Sequence, residues 1–210
     1  MQSHLSISLN NISKTFVVIS AKVKVKVLEN ITFTCKPGEL VLLTGKNGSG
    51  KSTLLRMIAG IIKPSHGSIE TRGKIGYYPQ NPQFNKGVSV LDFTNYIGSL
   101  KNGIYDKKEG LLWLNNFGIS DKWKKMGVLL LSEGMKRRVA LSLSFVGNPD
   151  ILLLDEPLEN LDKEIKEELL RFVHEALKDG KTIVVATHEI ESFSSFTPRM
   201  INLDKRYMLD

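Results

Sequence analysis

Gly45-Lys46-Asn47-Gly48-Ser49-Gly50-Lys51-Ser52 has the spacing G-x-x-x-x-G-K-[ST]. Glycines there permit positive φ and let the backbone pass close to a ligand. Successive N–H groups then form an anion nest at the positive end of a following helix. Lys51 supplies a point charge for the β/γ-phosphates of a nucleotide, and Ser52 a hydroxyl for Mg²⁺. Downstream, the apolar run Ile151-Leu152-Leu153-Leu154 ends in Asp155-Glu156. Many strands end in Asp, so this signal gains its weight from the glycine loop ahead of it. In that company Asp155 suits holding Mg²⁺ opposite Ser52, through water. Glu156 suits orienting or deprotonating an attacking water.

The flanking residues predict the elements that must hold these groups. Leu40-Val41-Leu42-Leu43 predicts a buried strand before the loop, and Thr53 to Ala59 a helix closed by Gly60. Before it, Leu5, Ile7 and Leu9 alternate with polar residues, as do Val23, Val25 and Val27 with Lys22, Lys24 and Lys26. The second pattern predicts a strand whose lysine face blunts a sheet edge. Leu28-Glu29-Asn30 is expected as a turn and Ile31 to Cys35 as a strand. Past Gly60, strands are expected at Ser68–Glu70 and Ile75–Tyr78, ending at Pro79-Gln80. Ser89 and Asp92 resemble a capping box, Asp106 could cap a second helix, and a third begins near Ser132. Asn81 to Gly147 therefore predicts a helical lobe inserted between parallel strands. Leu161 to Leu177 follows helical spacing, Thr182 to Thr187 is a strand ending at His188, and Met200–Leu203 with Tyr207–Leu209 predicts a last hairpin.

The chain has 210 residues, 41% hydrophobic and 24% charged. These values fit one soluble domain with an inserted lobe. No apolar run approaches the ~20 residues that span a bilayer, and Met1 to His4 lacks the character of a signal peptide. A cytosolic location is expected. The single cysteine, Cys35, excludes an intramolecular disulfide and a cysteine metal cluster. The net charge is +7, from 29 basic and 22 acidic residues. Nucleic acid or an anionic membrane could answer to it. The basic residues are spread out, apart from Lys22-Lys24-Lys26 and Lys136-Arg137-Arg138, which favours a solvated surface.

In order and over nearly its whole length, the sequence resembles the nucleotide-binding domain of ABC ATPases. Gly45 to Ser52 matches that family's phosphate loop, and Gln80 its Q-loop glutamine. Leu131-Ser132-Glu133-Gly134-Met135 stands at the signature, usually LSGGQ. Ile151 to Glu156 matches the Walker B run, Glu159-Asn160-Leu161-Asp162 the D-loop, and His188 the switch histidine. Phe16 falls where the family stacks an aromatic on adenine. The resemblance implies an α/β phosphate-loop NTPase fold with a mixed sheet. Residues 1–80 and 148–210 would form the ATP-binding core with an antiparallel β subdomain, and 81–147 the helical subdomain. It implies ATP and Mg²⁺ as ligands, with Gly45 to Thr53 around the phosphates. Lys51 and His188 would contact the γ-phosphate, and Gln80 the metal or water. Two copies, or one copy and a similar ATPase, would pack head to tail around two ATP molecules. Ser132 and the Gly134 N–H would then reach the partner's nucleotide, and Asp162 would link the two sites.

The resemblance further implies the ATPase subunit of a transporter, peripheral on the cytoplasmic face of the membrane and bound to a separate membrane subunit, with no direct nucleic-acid contact. The alternative is a soluble ABC-type ATPase acting on ribosomes or nucleic acid. Relatives of that kind resemble tandem domains or carry a long coiled coil, and neither pattern is present. Two departures stand out: Glu133 and Met135 replace the usual Gly and Gln of the signature, and the D-loop has Glu159-Asn160 where Ser-Gly/Ala is commoner.

Overall fold

The computed structural model describes residues 5–18, 22–102 and 107–204. In chain order the elements are β1 (Ile7–Val18), β2 (Val23–Cys35), β3 (Leu40–Thr44), α1 (Lys51–Ile58), β4 (His66–Thr71) and β5 (Ile75–Tyr78). There follow α2 (Val90–Asn102), α3 (Lys107–Asn116), α4 (Asp121–Lys124), α5 (Glu133–Phe145), β6 (Ile151–Asp155), α6 (Lys163–Lys178), β7 (Thr182–Ala186) and β8 (Arg199–Asn202). The cap expected at Asp106 and the strand expected at Tyr207–Leu209 lie outside the described residues.

Strands β3, β6 and β7 are buried along their whole length, as continuous apolar runs must be when both sheet faces are covered. They form the centre of a sheet ordered β5-β6-β7-β3-β8, in which every described pairing is parallel. Antiparallel pairing is confined to a second sheet, β2-β1-β4. One apolar layer, with Leu54, Leu55, Ile151, Leu153 and Val184, joins this second sheet and α1 to the large sheet. The opposite face carries α6 and α5 over Leu152, Leu154, Ile183 and Val185. Parallel order brings the C-terminal ends of β3, β6 and β7 to one edge, and with them the loop at Gly45, Asp155-Glu156 and His188.

One expectation needs correction. Leu28-Glu29-Asn30 does not reverse the chain: β2 is continuous through it. Asn30 takes a φ of 49°, and the pairing with β1 slips between Ile12 and Thr15, so a bulge does locally what a turn was expected to do. Val23 and Val25 are exposed, because the far end of the β1–β2 hairpin runs past the core. Met200, expected in the first arm of a hairpin, lies in β8, which pairs in parallel with β3. β2 is the sheet edge, with Lys24 and Lys26 exposed on it, and buried Cys35 fills its inner face, its thiol pushed up to about 12 by that burial.

Between β5 and β6, helices α2 to α5 gather a small core of Val90, Leu114, Ile119, Val128, Val139 and Leu143. Ser89 Oγ accepts the Asp92 N–H at 3.1 Å and donates to Asp92 Oδ2 at 2.6 Å, which starts α2. Ser132 Oγ accepts the Met135 N–H at 3.3 Å and caps α5. Trp113 of α3 stacks on Phe145 of α5 and meets Phe172 of α6 edge-on. That aromatic contact fastens the helical layer to the main core.

Candidate functional site

The loop leaving β3 is shaped by close contacts that leave room only for glycine. Gly45 and Gly50 take φ of 140° and 94°. A Cβ on Gly45 would stand 2.6 Å from Ser49 Oγ, and one on Gly50 2.7 Å from a methyl of Leu28. Thus the bulged strand β2 braces the loop from below. The loop's outer side is held by Asp204, whose Oδ1 accepts the Lys46 N–H at 2.5 Å. Helix α1 starts at Lys51 with no side-chain cap, so its first N–H groups stand open to an anion.

Lys51 is buried at 7% exposure, yet its Nζ donates to Gly45 O at 2.8 Å. A buried ammonium on a backbone carbonyl keeps its positive charge available at the mouth of the loop. Ser52 Oγ donates to Asp155 Oδ1 at 3.0 Å, joining α1 to the end of β6. Asp155 is 1% exposed, and its Oδ2 has no hydrogen-bond partner. Burial pushes its carboxyl above the usual range, against the opposing pull of the Ser52 hydroxyl and of Arg56. A buried, half-satisfied carboxylate beside a serine hydroxyl is the hard oxygen set that Mg²⁺ accepts. Among the described residues no cluster of three or more His, Cys, Asp or Glu could hold a metal alone. Mg²⁺ would draw its other oxygens from phosphate and water, as it does at nucleotide sites.

Glu156 takes a φ of 49°, and its N–H bonds to Ala186 O at 2.8 Å, which pins the residue to the end of β7. Its Oε2 accepts the His188 N–H at 3.2 Å, while Oε1 lies 3.3 Å from His188 Nε2 and 4.0 Å from Lys51 Nζ. Burial raises its pKa, and His188 and Lys51 oppose the rise. His188 Nε2 is also 2.9 Å from Asn47 Oδ1 and 3.3 Å from Lys51 Nζ. One ring nitrogen thus faces two acceptors and one donor, and which of these bonds it makes depends on the tautomer.

A cavity of about 310 Å³ is lined by Val27, Asn47 to Thr53, Gln80 and Glu156; His188 does not line it and meets it only through Asn47, Lys51 and Glu156. Gly45 and Lys46 lead from β3 into the loop, and Asp155, joined to Ser52, is not among the lining residues. Val27 was expected only as a strand residue; what places it here is the hairpin face it shares with Val25, which pairs with Phe16. Phe16 itself is 40% exposed, with Lys14 Nζ 4.9 Å from its ring centroid, and does not line the cavity. Ser132 and Gly134 do not line it either. They stand at the free end of α5, Ser132 exposed and Gly134 half-buried. Asp162, ahead of α6, pairs with Arg138 of α5. Asp204 escaped the sequence reading, since it carries no spacing signal and acts through its place after the parallel β8; Glu159 reads in the sequence only as part of the D-loop, and its contact with Gln80 carries no signal there.

The family model described as ABC transporter matches residues 28–159. An uncharacterized ABC transporter ATP-binding protein of Methanocaldococcus jannaschii is 38% identical, over 86% of this chain and 69% of its own length. The energy-coupling factor transporter ATP-binding protein EcfA2 of Thermotoga maritima is 36% identical, over 86% and 73%. Among solved structures, a dimeric bacterial ABC transporter cassette superposes with a TM-score of 0.85 at 28% identity, covering 94% of each chain. A post-hydrolysis dimer of that cassette, bound to ADP and Pi, gives the same TM-score at 27% identity and the same coverage. The chain therefore belongs to the ABC transporter family and is one of its ATPases.

Proposed function

We propose that this chain is the ATP-hydrolysing subunit of a transporter whose membrane-spanning part is a separate polypeptide, and that it works as a head-to-tail pair, with a second copy or a similar ATPase, around two ATP molecules. One observation carries this: Lys51, Ser52, Gln80 and Glu156 line the same cavity as the glycine loop, while Ser132 and Gly134 stand outside it at the free end of α5. A half-site of this kind needs a second surface. The matching dimeric cassette supports the pairing.

In this mechanism the open N–H groups of the loop and α1, with Lys51, bind the triphosphate. Ser52 and Asp155 would hold Mg²⁺, which neutralises charge on the phosphate oxygens. Glu156 accepts a proton from water as its oxygen attacks the γ-phosphorus and the bond to the ADP oxygen breaks. Burial makes Glu156 a stronger base than an ordinary glutamate. His188 holds Glu156 and the γ-phosphate in register. Ser132 and the Gly134 N–H of the second subunit close the phosphate from the other side, and Asp162 ties that event to α5 through Arg138.

Gln80 sits where the cavity meets the loop leading to α2. Beside that loop lies an apolar cleft of about 400 Å³ between Ala59, Tyr77, Pro82, Phe84, Phe93 and Leu143. An apolar groove of this size next to the Gln80 loop suits a docking membrane subunit, and the chain would work peripherally on the cytoplasmic face. No helix among the described residues is long and apolar enough to cross a membrane; in this reading the pathway for substrate belongs to the partner. The test is sedimentation of Glu156→Gln with and without ATP, together with isolation of the chain from membranes. An ATP-dependent pair and a co-purifying integral membrane protein are expected. Failure of both would overturn the proposal.

A further inference from the structure

The loop between β6 and α6 carries a carboxylate that no step above uses. Glu159 is set by a tight turn: its N–H donates to Glu156 O at 3.2 Å, Leu158 before it is buried, and Asn160 after it takes a φ of 56°. From this turn Glu159 Oε2 accepts a hydrogen bond from Gln80 Nε2 at 3.2 Å. Gln80 lines the phosphate cavity, and its backbone N–H is one of the groups that favour ionised Asp155.

A carboxylate offers only acceptors, whereas a carboxamide has a donor end and an acceptor end. The contact admits one orientation of the Gln80 amide, its NH₂ toward Glu159 and its carbonyl oxygen away. The free end is then the one that a hard divalent cation, or water bound to it, can use. The reverse orientation would turn N–H groups toward the cation. We propose that Glu159 is a positioning residue that fixes the polarity of the Gln80 amide and so keeps a carbonyl oxygen available to the metal–nucleotide complex. This rests on the role given to Gln80 above.

The test measures nucleotide binding rather than turnover, in a Glu156→Gln background that prevents hydrolysis. Mn²⁺ replaces Mg²⁺, and calorimetric titration of the protein with preformed Mn²⁺·ATP reads formation of the bound complex. ATP affinity in EDTA is measured in parallel. Glu159→Ala should weaken Mn²⁺·ATP binding about 10-fold, the low end for a partner that orients a metal-facing group, and leave ATP affinity in EDTA and the melting temperature unchanged. Glu159→Lys should weaken it further, because an ammonium would bind the carbonyl end of Gln80 and turn its NH₂ toward the metal. Glu159→Gln, which retains an acceptor, should recover part of the loss. In a Gln80→Ala background, Glu159→Ala should have no additional effect.

The proposal is overturned if Gln80→Ala weakens metal–nucleotide binding and Glu159→Ala does not, or if the Glu159→Ala effect persists without Gln80. It is also overturned if affinity in EDTA falls equally, which would mark a structural role. If Gln80→Ala leaves Mn²⁺·ATP affinity unchanged, the role given to Gln80 fails first and takes this proposal with it.

Discussion

Lys136 Nζ lies 2.7 Å from Glu133 Oε1, one turn further along α5, and the Glu133 side chain is 83% exposed. The acid that replaces the usual glycine therefore leans along its own helix toward a cation, and both water and Lys136 screen it. Sequence alone left open whether this carboxylate would face a partner's phosphates. With its charge balanced locally, Glu133→Gly should change ATP-dependent pairing of the Glu156→Gln protein by less than about 3-fold, within the range of an exposed ion pair. Lys136→Ala should weaken pairing more, by exposing the acid, and the difference should shrink at high salt. Sedimentation at two ionic strengths reads both. A large gain for Glu133→Gly alone would show that the carboxylate turns toward the partner.

Lys51 is the buried cation at the phosphate loop, and Gly45 O is its close partner at 2.8 Å. Lys51→Ala removes a charge-assisted contact worth about 1.5–3 kcal/mol. ATP affinity should fall about 10- to 100-fold by calorimetry. An unchanged affinity would rule out the loop as the phosphate site.

Trp113 is packed between the helical layer and the main core, its ring centroid 4.7 Å from Phe145 and 5.0 Å from Phe172. Trp113→Ala should cost about 3 kcal/mol, the low end for a large aromatic in a core because Trp113 is only partly buried. A lower denaturant midpoint, with ATP affinity of the folded protein unchanged, is expected. Little loss of stability would mean that the layer is held elsewhere.

The phosphate loop was legible in the sequence because its local chemistry is also its structure. Glycine, lysine and serine at fixed spacing, between an apolar strand and a helix, leave few alternatives. The central strands were legible because burial on both faces writes itself as a continuous apolar run, seen in Ile151–Leu154 and Thr182–Ala186. Contacts between distant segments were not legible. Leu28 braces Gly50, Asp204 holds the Lys46 N–H, and Glu159 holds Gln80, yet none of these residues advertises its partner. The exposure of the hairpin end was not legible either. Val23 and Val25 alternate with lysines as a half-buried strand does, but alternation cannot say whether anything covers the apolar face.

Burial raises the pKa of both Asp155 and Glu156, which sets stability against function at this edge of the sheet. A carboxyl whose folded-state pKa exceeds its unfolded value contributes stability that is fully present below the unfolded pKa. That contribution is lost as pH rises through the folded value, because the fold must then hold a poorly solvated negative charge. The nucleotide-free protein should therefore gain stability when either acid is made neutral without changing its shape, at neutral pH and above. Asp155→Asn keeps an oxygen for the Ser52 hydroxyl and removes the charge from a residue that is 1% exposed. Relief of about 1 kcal/mol would raise the melting temperature by roughly 2–4 °C in a chain of this size, and the gap to the parent should close as pH falls below the ordinary carboxylate range. Glu156→Gln should behave alike in sign, while cutting hydrolysis by about 10²–10⁴-fold and retaining ATP binding. With Glu156 as the proposed base, activity needs it deprotonated, so the acid limb of the parent's pH–rate profile should lie above that of an ordinary glutamate. Melting curves of the three proteins from acid to neutral pH, beside the parent's pH–rate profile, check both halves. A neutral variant that melts lower than the parent at neutral pH would show that these carboxylates hold the fold together, instead of being strained within it for the sake of the reaction.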